Sequence, residues 1–294
     1  MRVVSFLPAG TEITCALGAG ASLVGRSHEC DYPAEVTRLP VVSRPALALE
    51  GLSTADADRA VASQLAAGES LYLIDEQLLR RLEPDVILTQ NLCRVCAPSG
   101  NELSRAVRDF PRRPEILFLT PRTLAGIDEN ILDTGRALGR EREAEALVQS
   151  NAERIDRVRS AVTGAPRRRV TFLEWTDPPF CAGHWVPEMI ELAGGDDPLG
   201  ASGSDSRRIA WDDVRATTPE LVVVSPCGFG LEESVRLARG LPALGRAEVV
   251  AVDANAYFAR PGPRVAEGIE LLAHLIHPDR FAWAHAHRPW QRVI

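Results

Sequence analysis

The sequence feature that most constrains the fold of this 294-residue chain is an alternation of short β-rich runs with amphipathic stretches, and this alternation occurs twice. The pattern is typical of α/β layering, in which strands form a sheet and helices cover its faces. The predicted strands are Arg2–Leu7, Ser22–Gly25, Val86–Thr89, Ile116–Leu119, Arg169–Glu174, Leu221–Ser225 and Glu248–Asp253. The predicted helices are Thr11–Leu17, Ala55–Ala67, Asp75–Leu82, Val186–Ala193, Leu231–Arg239 and Arg264–Ile276.

A long helical pattern separates the two series and runs from Thr123 to about Val162. Its apolar residues recur mostly at three- and four-residue intervals, as on one face of a helix. Gly139 is expected to divide the region into two helices. The second, about Glu141–Val162, would run for roughly 33 Å, and Gly164 would end it. A helix of that length suits a rigid connection between two lobes.

The pattern therefore predicts two α/β lobes on either side of the long helix. The alternative is one continuous doubly wound sheet in which the helix is only a crossover. The predicted domains are an N-terminal lobe at residues 1–122, a helical region at 123–163 and a C-terminal lobe at 164–294.

Composition and charge argue against several classes of protein. The formal net charge is −7, whereas a nucleic-acid-binding protein would need a clustered positive face. The sequence contains no lysine, so Schiff-base enzymes and P-loop ATPases are excluded. The longest apolar runs are of strand length, and we expect no membrane insertion. No signal-peptide pattern precedes the first strand, which predicts a cytoplasmic chain as written, or a periplasmic or extracellular chain if a signal was removed.

Unusual side chains follow the predicted strands, at the position where α/β sheets bind their ligands. Aromatic residues make up only 5% of the chain, yet six of them lie in these segments of the second half. Aromatic side chains in loops indicate a binding wall or an interface. The candidate ligand-binding residues are Pro8, Ala9, His28, Asp31, Tyr32, Trp175, Phe180, His184, Trp185, Phe229 and Tyr257.

An ordered series of weak motifs resembles the class III periplasmic binding proteins, which serve ABC importers of cobalamin and siderophores. The cobalamin-binding branch is the most similar, and the resemblance covers about residues 1–278. The segments that carry it are Val3–Glu12, Leu23–Ser27 with Cys30–Pro33, Leu82–Leu88, Asp177–Phe180 through Gly195, and Thr218–Val224.

The resemblance implies two Rossmann-like lobes, a single linking helix and a ligand cleft between the lobes. It implies that Tyr32, Trp175, Phe180 and Trp185 line a cobalamin cleft. An apolar corrin disc fringed with amides suits aromatic walls. The resemblance also implies one acidic docking residue per lobe for an ABC permease, at the positions of Glu76 and Asp212.

The cysteines depart from the general pattern of that family. His28 and Cys30 follow one strand, and Cys93 and Cys96 follow another strand of the same lobe. A set of three cysteines and one histidine matches the preference of zinc or another thiophilic metal. A redox dithiol or unrelated thiols would give the same pattern. His28 or His184 could instead coordinate the cobalt of a corrinoid.

These observations together predict a non-catalytic protein that binds cobalamin or a related corrinoid for capture, delivery or import. One alternative is a binding protein for haem or an iron siderophore. The other is a cytoplasmic metal–thiolate protein or enzyme that uses the cysteine and histidine cluster, since fold alone does not decide function.

Overall fold

The computed structural model describes residues 1–49, 51–91, 103, 106–108 and 110–293. The chain divides into two compact units, of which the first is Met1–Pro121 with Ala125–Gln149 and the second is Arg122–Leu124 with Ser150–Ile294. Each unit contains its own six-stranded sheet. The mixed α/β, two-lobe fold class is therefore confirmed, and the single continuous sheet is excluded.

The sheet of the first unit has the strand order β4-β3-β2-β1-β5-β6. All neighbours in it are parallel except β3 and β4. Its central strands β1 and β5 are buried along their whole length, which explains the continuous apolar residues Val3–Val4 and Val86–Leu88. The strands are β1 (Val3–Ser5), β2 (Leu23–Ser27), β3 (Val41–Pro45), β4 (Tyr72–Ile74), β5 (Val86–Thr89) and β6 (Glu115–Phe118).

Among the described residues, α1 (Pro8–Ala16), α2 (Thr54–Ala66) and α3 (Glu76–Leu82) lie between these strands. Helix α1 packs closely on the sheet, because a Cβ atom added at Gly10 would lie 2.9 Å from Ser5 Oγ and 3.0 Å from Leu88 Cβ. Asp75 caps α3 by accepting a hydrogen bond from the backbone N–H of Leu78 at 2.8 Å, as the sequence predicts.

The long helical region consists of α4 (Leu124–Leu138) and α5 (Glu141–Val162). Gly139 has a φ of +63° and separates them, since this left-handed conformation suits a residue without Cβ. Gly164, with a φ of +73°, follows the end of α5. The predicted division and the predicted bounds of α5 are both confirmed.

The sheet of the second unit has the order β12-β11-β10-β7-β8, with β9 paired to β7. Strands β7, β10 and β11 are parallel, whereas β8 and β12 pair with their neighbours antiparallel. The strands are β7 (Arg168–Thr176), β8 (Pro179–Cys181), β9 (Gly195–Asp196), β10 (Leu221–Val224), β11 (Glu248–Val252) and β12 (Trp290–Arg292). Helices α6 (Val186–Leu192), α7 (Trp211–Ala216), α8 (Leu231–Arg239), α9 (Ala254–Tyr257) and α10 (Val265–Ile276) accompany them.

The structure corrects three local expectations at the predicted site. Trp175 lies in strand β7 and Phe180 lies in strand β8, rather than in a loop, because β7 continues to Thr176 and the chain then reverses at Asp177–Pro178 and pairs back onto β7. Helix α1 begins at Pro8 rather than Thr11, since proline is well tolerated in the first turn. Among the described residues, no helix is long and apolar enough to span a bilayer.

Candidate functional site

A row of side chains crosses the sheet edge of the second unit. Trp175 of β7 is the register partner of Phe180 in β8, and Phe180 in turn forms an antiparallel bridge with Arg208. Directly opposed residues of antiparallel strands project from the same face of a sheet. The three side chains therefore lie side by side over two strand spacings, or about 10 Å.

Two ring contacts extend and terminate this row. Phe229, in the segment after β10, stacks on Trp175 with ring centroids 5.6 Å apart and an interplanar angle of 27°. The guanidinium carbon of Arg208 lies 5.8 Å from the centroid of the Phe180 ring, which is a cation–π contact. We call Phe229, Trp175 and Phe180 the aromatic row, with Arg208 at its end.

Trp175 retains an unused hydrogen-bond donor. Its indole Nε1 is buried and has no partner among the described residues. The hydroxyl of Ser225, at the carboxyl end of neighbouring strand β10, is in the same condition. Buried polar groups without partners each cost about 1–3 kcal/mol, so both side chains lower the stability of the unit unless ordered water completes their hydrogen bonds.

Local pairing holds His184 in an unusual backbone conformation, with a φ of +52°. Its backbone N–H donates to the carbonyl oxygen of Ser204 at 2.6 Å, and its carbonyl oxygen accepts from Gly203 at 2.9 Å. Its ring Nε2 lies 3.1 Å from Asp205 Oδ1, and Arg122 Nη1 lies 2.9 Å from the same oxygen. Burial lowers the pKa of His184 despite the opposing effect of Asp205, so the imidazole is favoured in its neutral form.

Two acidic residues that the sequence reasoning missed fix this segment. Glu174 accepts hydrogen bonds from the Gly183 backbone N–H at 2.9 Å and from the Ser206 hydroxyl. Glu188 accepts from Ser202 Oγ at 2.6 Å. Both acids are close in sequence to predicted site residues, but their partners are distant in sequence, so only the folded structure shows the contacts.

Trp185 and Tyr257 lie in the interior of the second unit. Trp185 is 6% exposed, and its indole N–H donates to the carbonyl oxygen of Phe258 at 3.0 Å. Tyr257 is 3% exposed, and its hydroxyl lies 2.6 Å from His287 Nε2. The structure brings Trp175, Phe180 and Phe229 together, whereas Trp185 and Tyr257 pack in the core of the unit.

The first unit carries the remaining predicted residues at the ends of β1 and β2. Pro8 and Ala9 form the first turn of α1, whose N-cap makes no side-chain hydrogen bond. His28 places Nδ1 3.1 Å from the carbonyl oxygen of Ser43 and Nε2 3.1 Å from Glu29. Asp31 is exposed, and Tyr32 is 49% exposed, as a ligand-contacting aromatic residue would be.

The predicted metal ligands are only partly within the described residues. Cys30 is fully buried, and its Sγ accepts a hydrogen bond from Thr11 Oγ1 at 3.0 Å. Cys93 and Cys96 lie outside the described residues. Within the described part of the chain, no three His, Cys, Asp or Glu side chains are grouped to hold a metal ion. The zinc site of His28, Cys30, Cys93 and Cys96 stays a prediction.

The two candidate docking acids are both exposed. Glu76 lies in the first turn of α3. Asp212 lies in the first turn of α7 with its side chain 93% exposed, and Arg215 Nη1 donates to it at 2.7 Å. Acidic residues are favoured at helix N-termini in any case, so their docking role stays a prediction.

Comparison with known proteins places this architecture among binding proteins. Residues 3–241 match the family model described as periplasmic binding protein. The uncharacterized ABC transporter substrate-binding lipoprotein YvrC of Bacillus subtilis is 23% identical over 95% of this chain and 81% of its own length.

Two solved structures are similar over nearly their whole length. The periplasmic heme-binding protein RhuT of Roseiflexus sp. RS-1 has a TM-score of 0.70 at 21% identity and covers 94% of this chain and 98% of its own. The periplasmic vitamin B12 binding protein BtuF of Vibrio cholerae has a TM-score of 0.66 at 20% identity, covering 94% and 96%. At these identities the similarity establishes the fold.

Proposed function

The chain belongs to the periplasmic binding protein family, and from that membership we propose that it captures cobalamin or a related corrinoid for an ABC importer. It is a substrate-binding protein and not an enzyme. The predicted binding function without turnover is confirmed at this level. We propose three further points: that the ligand is a corrinoid, that the protein delivers it to an ABC importer, and which residues contact it.

The observation that carries the proposal is the aromatic row. Trp175 and Phe180 lie on adjacent strands with Phe229 stacked on Trp175, and such an aromatic cluster suits contact with a broad planar ring system. In the first unit, Pro8, Ala9, Asp31 and Tyr32 are proposed as further contacts. The shared ligand cleft, which the resemblance implies, stays a prediction.

Haem is the second candidate ligand. Both a vitamin B12 binding protein and heme-binding proteins are among the similar structures, and both ligands are large planar rings with a central metal. The aromatic row accommodates either ring, because stacking does not distinguish a corrin from a porphyrin.

We propose that His184 coordinates the central metal of this ligand. With Nε2 bonded to Asp205, the ring proton resides on Nε2 and Nδ1 keeps its lone pair. A carboxylate that orients a metal-binding imidazole in this way is a frequent arrangement in metalloproteins. His28, in the first unit, is the alternative ligand, and its Nδ1 already lies near the carbonyl oxygen of Ser43.

We further propose that the protein works outside the cytoplasmic membrane. The expectation of a cytoplasmic chain is not supported, because the matching family is periplasmic and the Bacillus subtilis relative is a lipoprotein. Glu76 and Asp212 are the proposed contacts with the permease. The alternative of a cytoplasmic metal–thiolate enzyme is accordingly set aside.

A ligand panel tests this function. Purified protein is incubated with cyanocobalamin, cobinamide, haemin or ferric siderophores and is then desalted. We expect visible absorbance to remain with the protein for a corrinoid, and for haemin if the second candidate is correct. The visible absorbance band of the bound ligand should shift relative to that of the free ligand. If His184→Ala retains the ligand but lacks this shift, His184 is the axial ligand of the central metal. If no coloured ligand is retained, the proposed function is wrong.

A further inference from the structure

The side chain of Arg122 contacts the segment that holds His184, and the sequence analysis did not single it out. Its Nη1 donates to the carbonyl oxygen of Gly203 at 3.2 Å and to Asp205 Oδ1 at 2.9 Å. The same carboxylate oxygen lies 3.1 Å from His184 Nε2. One guanidinium nitrogen therefore bonds to both the backbone and the carboxylate of the segment that contacts the imidazole.

The backbone of His184 is already fixed to this segment, but the carboxylate is not. The Gly203 N–H donates to the carbonyl oxygen of His184, and the His184 N–H donates to that of Ser204. The carboxylate of Asp205, in contrast, is 69% exposed, and an exposed side chain of this kind samples several rotamers. The contact with Arg122 selects the rotamer that meets the imidazole.

The chain on which Arg122 lies is itself attached beside His184. Arg122–Leu124 belongs to the second unit, although the residues on both sides of it in sequence belong to the first. The Leu124 N–H donates to Glu188 Oε2 at 2.9 Å, and Glu188 lies in the first turn of α6, four residues after His184. The backbone that carries the guanidinium is therefore fixed relative to the imidazole.

An oriented carboxylate strengthens the coordination of a metal by an imidazole. The carboxylate fixes the ring and its tautomer and makes the coordinating nitrogen more basic, and loss of such a partner lowers metal affinity by about 10–100-fold. For His184 this partner is Asp205. A carboxylate that rotates into solvent gives this support for only part of the time, so a residue that fixes the carboxylate contributes without touching the ligand.

We infer that Arg122 is a positioning residue for the proposed metal ligand. It holds Asp205 and Gly203, and these orient the His184 ring so that Nδ1 replaces a water ligand on the central metal. The inference rests on the proposed coordination by His184 and identifies the residue that supports it. Because exposed ion pairs contribute little to stability, substitution of Arg122 should leave the fold intact.

Aquacobalamin and haemin are the probes, because each has an axial position that an imidazole can occupy. Azide competes for that position, and loss of the shifted absorbance band reports displacement of His184. We expect Arg122→Gln to retain the probe and to lower the azide concentration needed for displacement about tenfold, the lower end of the range for loss of the carboxylate itself. Arg122→Lys should restore part of this resistance. Arg207→Gln is the control, since Arg207 is exposed and donates to the carbonyl oxygen of Leu199.

The ligand-free protein provides a second readout. NMR of the imidazole nitrogens at about pH 8, where an imidazole is neutral, distinguishes the two tautomers. We expect His184 of the wild-type protein to carry its proton on Nε2, and we expect a mixture of tautomers in Arg122→Gln. Arg207→Gln should match the wild-type protein.

The outcomes separate this inference from the proposed function. Unchanged azide sensitivity or an unchanged tautomer in Arg122→Gln would overturn the role of Arg122, as would loss of the probe or an equal change in Arg207→Gln. A wild-type protein that retains a probe without a band shift would overturn the coordination by His184 and this inference, but not the binding function. Failure to retain either probe would refute all three. Thermal unfolding of each variant shows that the fold is retained.

Discussion

At the residue scale, Trp175 is the side chain on which ligand affinity should depend most. It stacks on Phe229 and opposes Phe180, whereas Trp185 is buried with its N–H bonded. We expect Trp175→Ala to weaken binding by about 1–3 kcal/mol, the usual scale for an aromatic contact surface. Ligand should also quench tryptophan fluorescence saturably in the wild-type protein.

Trp185→Phe is the matched comparison for this variant. It removes the hydrogen bond to Phe258 together with part of the buried ring, and it should lower the free energy of unfolding by about 1–3 kcal/mol with little effect on affinity. If Trp175→Ala bound the ligand as tightly as the wild-type protein does, the aromatic row would not be the binding surface.

A partly buried carboxyl group, that of Asp197, should make the stability of the second unit depend on pH. Asp197 accepts hydrogen bonds from the backbone N–H groups of Phe172, Leu199 and Gly200, yet burial raises its pKa from 3.8 to about 6. A raised folded-state pKa means that its contribution is fully present below about pH 4 and is lost as the pH rises through about 6.

Asp197→Asn should remove this dependence. Relative to the wild-type protein, the free energy of unfolding of the variant should increase between about pH 4 and pH 7, by up to about 3 kcal/mol. Urea unfolding at several pH values measures the difference. A difference that decreases with pH would contradict the assigned pKa shift of Asp197.

At the element scale, the long and regular elements were predictable from sequence, and the short ones were not. The bounds of α5 and of β5 follow from helical periodicity and from an unbroken apolar run that no tertiary contact overrides. Strands β4 and β8 have three residues each, too few for an alternating pattern to be visible. The sequence predicted Trp175, Phe180 and Phe229 as site residues but not Arg208. The bridge that places Arg208 beside Phe180 joins distant segments, and such a bridge leaves no local pattern in the sequence.

The attachment of α5 to α10 provides a test at the same scale. Arg154 on α5 donates through Nε at 3.0 Å and through Nη2 at 2.5 Å to Glu270 on α10, whose side chain is only 8% exposed. Arg154→Met leaves that carboxylate buried without its main partner and should cost about 3–5 kcal/mol of unfolding free energy. Arg159→Met breaks the exposed pair with Asp156 on the same helix and should cost less than about 1 kcal/mol. Equal costs in urea unfolding would show that Arg154 does not hold the two helices together.

At the scale of the whole molecule, each unit must present its own contact if the protein serves a permease. Glu76 and Asp212 belong to different units and lie in the first turns of exposed helices. We expect Glu76→Arg and Asp212→Arg to bind ligand normally but to lose transport in vesicles that contain the permease, because a surface charge contact is reversed in sign.

Glu232→Arg in α8 and Asp56→Arg in α2 are matched controls. Both control acids lie in first helical turns, and Asp56 pairs with Arg59 as Asp212 pairs with Arg215. Transport that is lost equally in the controls would indicate a general effect of charge, whereas transport that is retained in all four variants would place the docking surface elsewhere.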